Sequence, residues 1–264
     1  MVNSQSTAEE VRLACRQDAW QQPTSGLGLG YVQANLVILP REYAFDFLLF
    51  CVRNPKPCPL LAVTDPGQWE PVEIAPGADL RTDLPRYVVY RDGVKVEEPT
   101  SLHHLWQEDF VSFLLGCSFT FEAAMLQAGL PVRHVEQGVN VPMYRTHRPN
   151  TRAGIFAGEL VVSMRPLLPE FVDQATALSA AMPLAHGAPI HVGDPTALGI
   201  ADLNKPDFGD AVTVQKGEVP VFWACGVTPQ VAIMAARPRM AITHAPGHMF
   251  LTNLRDNEIM RWHS

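Results

Sequence analysis

The sequence predicts a mixed α/β fold: a three-layer αβα body with a smaller two-layer α+β subdomain inserted. Three observations support this. Apolar strand-like runs alternate with helix-like segments along the chain. Two segments, 110–130 and 219–236, repeat one architecture of apolar strand, tight turn and helix. Between them, residues 131–205 change character to several strands with one helix, the pattern of an inserted layer. The main domain is therefore expected to be discontinuous, 1–130 plus 206–264, with 131–205 as the insert. A chain of 264 residues can bury a sizeable core. Its 47% hydrophobic and 18% charged residues make a globular composition rather than a disordered one.

Each element has its own signal. Residues 7–20 read as a helix with Thr7 as N-cap and Glu9 and Glu10 in the first turn. The run TSGLGLGY after it lacks the Lys-Ser/Thr ending of a phosphate loop and follows no strand, so it reads as a connection. VQANLVILP is a strand whose Gln33 and Asn35, two apart, share one face and suit a satisfied core network. Residues 41–52 form a helix that NPKPCP ends, and LLAVT is a buried strand. Residues 65–86 are turn-rich, and YVVYRDGVKVEE is a hairpin around Asp92-Gly93. LHHLWQEDFVSFLLG runs from a helix into an apolar strand, with His103 and His104 at the surface.

The two repeated units follow. FVSFLLG-CSFTFEAAMLQAG turns at Cys117, and EVPVFWA-CGVTPQVAIMAARP turns at Cys225, with Thr228 as N-cap and Pro229 in the first helical turn. Each turn offers unpaired N–H groups and the positive end of a helix dipole, which suit a carboxylate and would lower a thiol pKa. A small buried residue filling a tight turn is the bland alternative for either cysteine. Between the units, VRHVEQGVNVPMYRTH, LVVSMRP and APIHVGDP read as strands and FVDQATALSAAM as a helix.

Charge and composition exclude several classes. A net charge of −7 without a basic stripe argues against nucleic acid. The N-terminus has no basic-then-apolar signal, and FVSFLLGCSFTF is too short to span a bilayer. Five cysteines without CxxC spacing read as reduced thiols in a cytoplasmic protein. A small anionic substrate fits local arginines, whose fork pairs bidentately with carboxylates. His244 and His248 are four apart, but Pro246 and Gly247 make the segment a loop, and no Glu follows His244 as a zincin motif requires. No metal ligand is assigned. A divalent metal on a set drawn from His244, His248, His191 and Asp194 is the alternative.

The motifs GCSFTFEAAML, GLPVRHVEQGVNVPMYRT, VVSMRP, HGAPIHVGDP, GEVPVFWACGVTPQ and ITHAPGHMFLTNLRD, with YVQANLVIL, RNPKPCPLL and RTDLPRY upstream, resemble the hydro-lyase family that includes D-glutamate cyclase. The resemblance covers about residues 23–256. It implies a mixed α/β body with a smaller second part. For the cyclase members it implies interconversion of D-glutamate and 5-oxo-D-proline, with no organic cofactor expected. Residue roles come from the chemistry. Two carboxylates must be held, an oxyanion stabilised and a leaving hydroxide protonated. Arg145 and Arg165 are expected as carboxylate clamps, and the N–H groups around Cys117 and Cys225 as anion donors. Glu136 or His191 would give the proton, with Asp194 orienting His191. Asn140, His244 and His248 complete the substrate contacts. For each arginine or acid, a scaffold ion pair is the competing reading. Three rivals stand beside the cyclase. One is a cofactor-independent two-cysteine racemase, which would incorporate solvent deuterium at Cα. The others are a binding protein for 5-oxoproline-like acids and a hydro-lyase for an unrelated acid. Oligomeric state is left open.

Overall fold

The computed structural model describes residues 1–259, and helices and strands mix through all of them. The chain begins with α1 (Ala8–Arg16), β1 (Tyr31–Pro40), α2 (Arg41–Arg53), β2 (Leu60–Val63), β3 (Tyr87–Arg91), β4 (Val94–Glu97), β5 (Phe110–Gly116) and α3 (Phe119–Gln127). Next come α4 (Arg133–Gln137), β6 (Met143–Pro149), β7 (Glu159–Leu167), α5 (Pro169–Ala180) and β8 (His191–Val192). It closes with β9 (Val219–Ala224), α6 (Thr228–Ala236), β10 (Ala241–His244), β11 (Phe250–Arg255) and α7 (Asp256–Ile259).

Two antiparallel sheets carry the architecture. The larger has the order β2-β5-β1-β10-β3-β4, with β11 also paired to β1. β1 is its spine: β5 covers one edge from Ala34 to Pro40, while β11 and then β10 share the other. A near-continuous apolar run suits a strand buried on both faces. Alternation sends Val32, Ala34, Leu36 and Ile38 into one core cluster, against Phe121 and Met125 of α3 and Ala175 of α5. Val37 and Leu39 face the other cluster, against Phe47 and Phe50 of α2 and Ala232 and Ile233 of α6. Each such large side chain contributes roughly 1.5–3 kcal/mol by leaving water. The smaller sheet has the order β6-β7-β9-β8. Its strand β9 comes from 219–224, beyond the boundary expected at 205. The two similar units therefore contribute strands to different sheets: β5 to the large one and β9 to the small one.

Local chemistry explains where elements depart from expectation. α1 has the Thr7–Glu10 capping box but stops at Arg16, and Asp18 just beyond it turns to φ 54°. The hairpin at Asp92-Gly93 takes φ 51° and 77°, both left-handed, as a tight two-residue turn requires. Residues 102–108 make turns rather than a helix. Trp106 anchors them through its indole N–H on the Gly67 carbonyl at 3.1 Å. His103 and His104 are exposed as expected. The segment expected as one strand from 132 begins as α4, ended by Gly138 at φ 64°. Only Met143–Pro149 is strand. APIHVGDP shrinks to two strand residues, because Asp194 caps a 3-10 turn that starts at Pro195.

Candidate functional site

The turns of the two strand–turn–helix units meet. Cys117 follows β5 and Cys225 follows β9, and both lie in one buried cluster with Phe119, Val141, Met143 and Val161. Each turn is pinned by its backbone: Cys117 N–H donates to the Gln33 carbonyl at 3.1 Å, and Cys225 N–H to the Val161 carbonyl at 3.0 Å. Close approach fixes them further. A Cβ on Gly116 would sit 1.6 Å from the Leu184 carbonyl oxygen, and one on Gly226 would sit 2.1 Å from the Asn35 amide. Asn35 is held there by donating to the carbonyls of Gly116 at 2.7 Å and Leu115 at 3.3 Å. Thr228 does not cap its own helix. Its hydroxyl takes the Val161 N–H at 3.0 Å and so ties the turn to β7.

The thiols reverse one expectation. The Phe119 N–H faces the Cys117 sulfur, and the Gly226 and Val227 N–H groups face the Cys225 sulfur. These contacts favour thiolate, but burial outweighs them. It pushes Cys225 up to about 11 and Cys117 well above its usual range. Burial costs a charge more than one exposed helix end returns.

Behind the turns lies a buried polar cluster. Arg165 of β7 donates through Nε to Glu122 Oε1 at 2.8 Å, through Nη1 to Ser163 Oγ at 2.9 Å and through Nη2 to Ser118 Oγ at 2.9 Å, with a further Nη2 contact to Glu122. The other Glu122 oxygen lies 3.3 Å from His134 Nε2. Burial alone would raise the Glu122 carboxyl. The charges and hydrogen bonds of His134 and Arg165 prevail and bring it to about 2. Ser25, on the glycine-rich connection, lies 3.3 Å from His134 Nε2 and 3.5 Å from Glu122 Oε2. Ser25 is half-buried, whereas Ser118, Glu122, His134, Ser163 and Arg165 are buried. Its neighbour Thr24 donates its N–H to the Gly247 carbonyl at 2.9 Å and its hydroxyl to Gln33 at 2.7 Å. The 24–27 and 246–249 loops thus close together beside the turns, and Gln33 serves the network its position implied.

The expected site residues separate into two groups. Cys117, Cys225 and Arg165 come together, but Arg165 is fully buried and its donors already point at protein acceptors. Asn140 donates to the Pro246 carbonyl at 3.1 Å and so braces the 246–249 loop. His248 leans on the same carbonyl at 3.0 Å. His244 is buried on β10 with Nδ1 3.2 Å from the Leu36 N–H, and burial lowers it to about 4. The others lie elsewhere. Glu136 is exposed and pairs with Arg133 at 3.0 Å. His191 sits on β8 opposite Phe222, on the face of the small sheet that Arg165 does not share. It contacts the backbone carbonyl of Asp194 at 2.7 Å, while the Asp194 carboxylate takes Thr196. Arg145 is exposed over the Phe208 ring, at the lip of a cavity of about 500 Å³ beside Val231 and Met234 of α6. Among the described residues no three His, Cys, Asp or Glu side chains converge as a ligand set, and no helix is long and apolar enough to cross a membrane.

Sequence reasoning singles out neither Glu122 nor Ser25, Ser118 and Ser163, and it gives His134 no role. A signal exists for the central pair. Glu122 is the lone charge in FTFEAAML, and Arg165 the lone charge in LVVSMRPLL. A single charge in an apolar run needs a buried partner of opposite sign.

Comparison with known proteins bears on this region directly. The family model described as D-glutamate cyclase matches residues 111–253, which include both turns, Glu122, His134 and Arg165. A protein of Geobacillus kaustophilus named "Putative hydro-lyase" is 57% identical over 96% of this chain and 96% of its own length. One of Rubrobacter xylanophilus with the same name is 61% identical over 95% of this chain and 97% of its own. Among solved structures, a nitrogen repressor-like protein from Methanococcus jannaschii covers 89% of this chain and 91% of its own at 11% identity. Its TM-score of 0.38 is too low to relate the folds.

Proposed function

Because the chain belongs to the D-glutamate cyclase family, we propose that it closes D-glutamate to 5-oxo-D-proline with release of water. The observation that carries this reading is the family match across both cysteine turns and the buried cluster behind them. The chemistry balances without an outside acid or base. The amine nitrogen bonds to the side-chain carboxyl carbon, and a carbon–oxygen bond breaks. The two protons that the ammonium nitrogen loses are the two that the departing oxygen gains as water. One proton shuttle therefore suffices. His134 and Ser25 suit that role, because the Ser25 hydroxyl is the partly accessible member of the cluster and touches both His134 and Glu122. The Cys117 and Cys225 N–H groups are taken by the Gln33 and Val161 carbonyls, so it is the following N–H groups of the two turns, those of Phe119, Gly226 and Val227, that suit the developing oxyanion or a substrate carboxylate. Arg165 would act through Glu122, holding its carboxylate ionised beside His134. A two-thiol racemase is less well served here, since burial disfavours the thiolate it would need.

The test is incubation of purified protein with D- and L-amino and hydroxy acids in deuterated and ordinary water, with and without EDTA. Loss of one water from D-glutamate is expected, without deuterium at Cα and with a lower kcat in Ser25→Ala. If no acid in the panel changes by the mass of a water, the reading fails. Deuterium at Cα without a water change would favour the racemase.

A further inference from the structure

Arg12 and Arg16 lie one turn apart on α1, on the side that faces Asp83. Like charges at this spacing repel unless an acid lies between them. Asp83 is that acid, but Arg16 claims it. Arg16 Nε and Nη2 donate to the two Asp83 oxygens at 2.7 Å each, the Asp79 N–H donates to Oδ2 at 2.8 Å, and the Thr82 hydroxyl donates to Oδ1 at 3.1 Å. A carboxylate has about four lone-pair sites, so Asp83 is full. Arg12 Nε is left 4.0 Å from Asp83, outside hydrogen-bond range. Arg12 otherwise has one bond, from Nη1 to the Leu251 carbonyl at 2.7 Å, and the Phe250 ring 5.7 Å from its guanidinium carbon. Yet Arg12 is only 4% exposed, and burial pushes its guanidinium below the usual value. Its Nε and Nη2 make no hydrogen bond among the described residues. The fully enclosed side-chain atoms without a partner there are Trp20 Nε1, Ser112 Oγ and His186 Nε2. The idle Arg12 nitrogens are not among them, so they reach open space. That space is a cavity of about 140 Å³ lined by Glu9, Arg12 and Arg16 of α1, Asn253 of β11 and the Pro76-Gly77 turn. Asn253 is exposed there, and Arg16 Nη1 has no partner among the described residues.

We propose that this cavity binds a small tetrahedral oxyanion of the phosphate or sulfate kind. Arg12 Nη2 donates to one of its oxygens, and Arg16 Nη1 and the Asn253 amide donate to others. The anion supplies the acceptor that Asp83 cannot give Arg12, and it relieves the repulsion between the two arginines. Two guanidinium groups and an amide from two elements ask for acceptors in several directions. A tetrahedral oxyanion offers them, whereas a planar carboxylate fills one fork and a halide has no fixed directions. Glu9 opposes the anion and limits its affinity. The site shares no residue with the cysteine turns or the cluster behind them, and it does not rest on the cyclase reading.

The experiment is equilibrium dialysis of radiolabelled inorganic phosphate against the full chain, with ionic strength held constant by potassium chloride. Saturable binding of one phosphate per chain is expected, displaced by sulfate and at least about tenfold less well by acetate. Arg12→Lys keeps the charge but loses the fork, and should bind at least about tenfold more weakly. Arg16→Ala frees Asp83 to take the Arg12 donors, and should weaken binding by a similar factor. Glu9→Gln removes the opposing charge and should bind about threefold more tightly. Glu9 and Arg16 are exposed, so their variants keep the fold even if Arg12→Lys does not. Uptake that does not saturate overturns the proposal, as does acetate competing as well as sulfate. Affinity unchanged in Arg16→Ala or in Glu9→Gln also overturns it, because an anion held elsewhere on the surface would ignore both changes.

Discussion

The Arg165 guanidinium makes four hydrogen bonds, to Glu122, Ser118 and Ser163, and lies 5.1 Å from the Phe121 ring and 5.3 Å from the Trp223 ring. Arg165→Ala would leave Glu122 as a buried charge without its main partner, a loss of about 3–5 kcal/mol. Arg165→Lys keeps the charge but cannot reach all three partners, and stranding one or two hydroxyls costs about 1–3 kcal/mol. Urea unfolding should therefore rank wild type above Lys and Lys above Ala. The double change Glu122→Leu with Arg165→Met should recover stability over Arg165→Ala, because it removes both charges together. An Arg165→Lys protein as stable as wild type would show that the guanidinium fork is not what holds the cluster. Part of this is legible in the sequence: one lone Glu and one lone Arg in apolar runs. Their pairing is not, because 43 residues separate them. The direction of the thiol shift is also illegible, since a helix end is visible in a sequence and the depth of burial at that end is not.

At the level of elements, the two cysteine turns depend on approaches closer than a methyl group allows, of Gly116 to the Leu184 backbone carbonyl and of Gly226 to the Asn35 side chain. Gly226→Ala would drive a Cβ into the Asn35 amide, and overpacking of that kind costs about 1–3 kcal/mol. Gly138→Ala meets nothing within 4 Å, so only its φ of 64° resists, at about 1 kcal/mol. In a double-mutant cycle, Gly226→Ala with Asn35→Ala should be less destabilised than the two single losses added together, by about 0.5–3 kcal/mol. Strict additivity in denaturant unfolding would mean that the turn and Asn35 do not press on each other. Both strand–turn–helix units can be read from sequence because each is local: an apolar run, a turn and a helix start. That β5 and β9 belong to different sheets cannot be read, because the pairing of β9 with β7 depends on contacts more than fifty residues apart. The short helix α4 reads as strand in the sequence because five residues carry too little periodicity to separate the two.

For the whole molecule, two buried histidines set the response to acid. His186 and His244 lie at about 4 in the folded chain against an ordinary 6.5, and burial lowers His248 in the same direction. The unfolded chain binds protons that the folded chain refuses, so their contribution is complete above about pH 6.5. It is lost as pH falls from 6.5 to 4, with a slope of about 1.4 kcal/mol per pH unit for each proton taken up. Glu122 acts lower down. Its folded value of about 2 lies below an ordinary 4.5, so its contribution is present above 4.5 and is lost as pH falls from there to 2. The two windows adjoin, and stability should decline continuously from neutrality into strong acid rather than hold a plateau near pH 5. Unfolding free energy measured in urea at about pH 7, 5.5 and 4 checks the slope. Proton uptake on unfolding at about pH 5.5 checks the cause: His244→Asn should take up about one proton fewer than wild type. An unchanged uptake in that variant would mean that His244 is already protonated in the folded chain, and the acid sensitivity would then have to come from other groups.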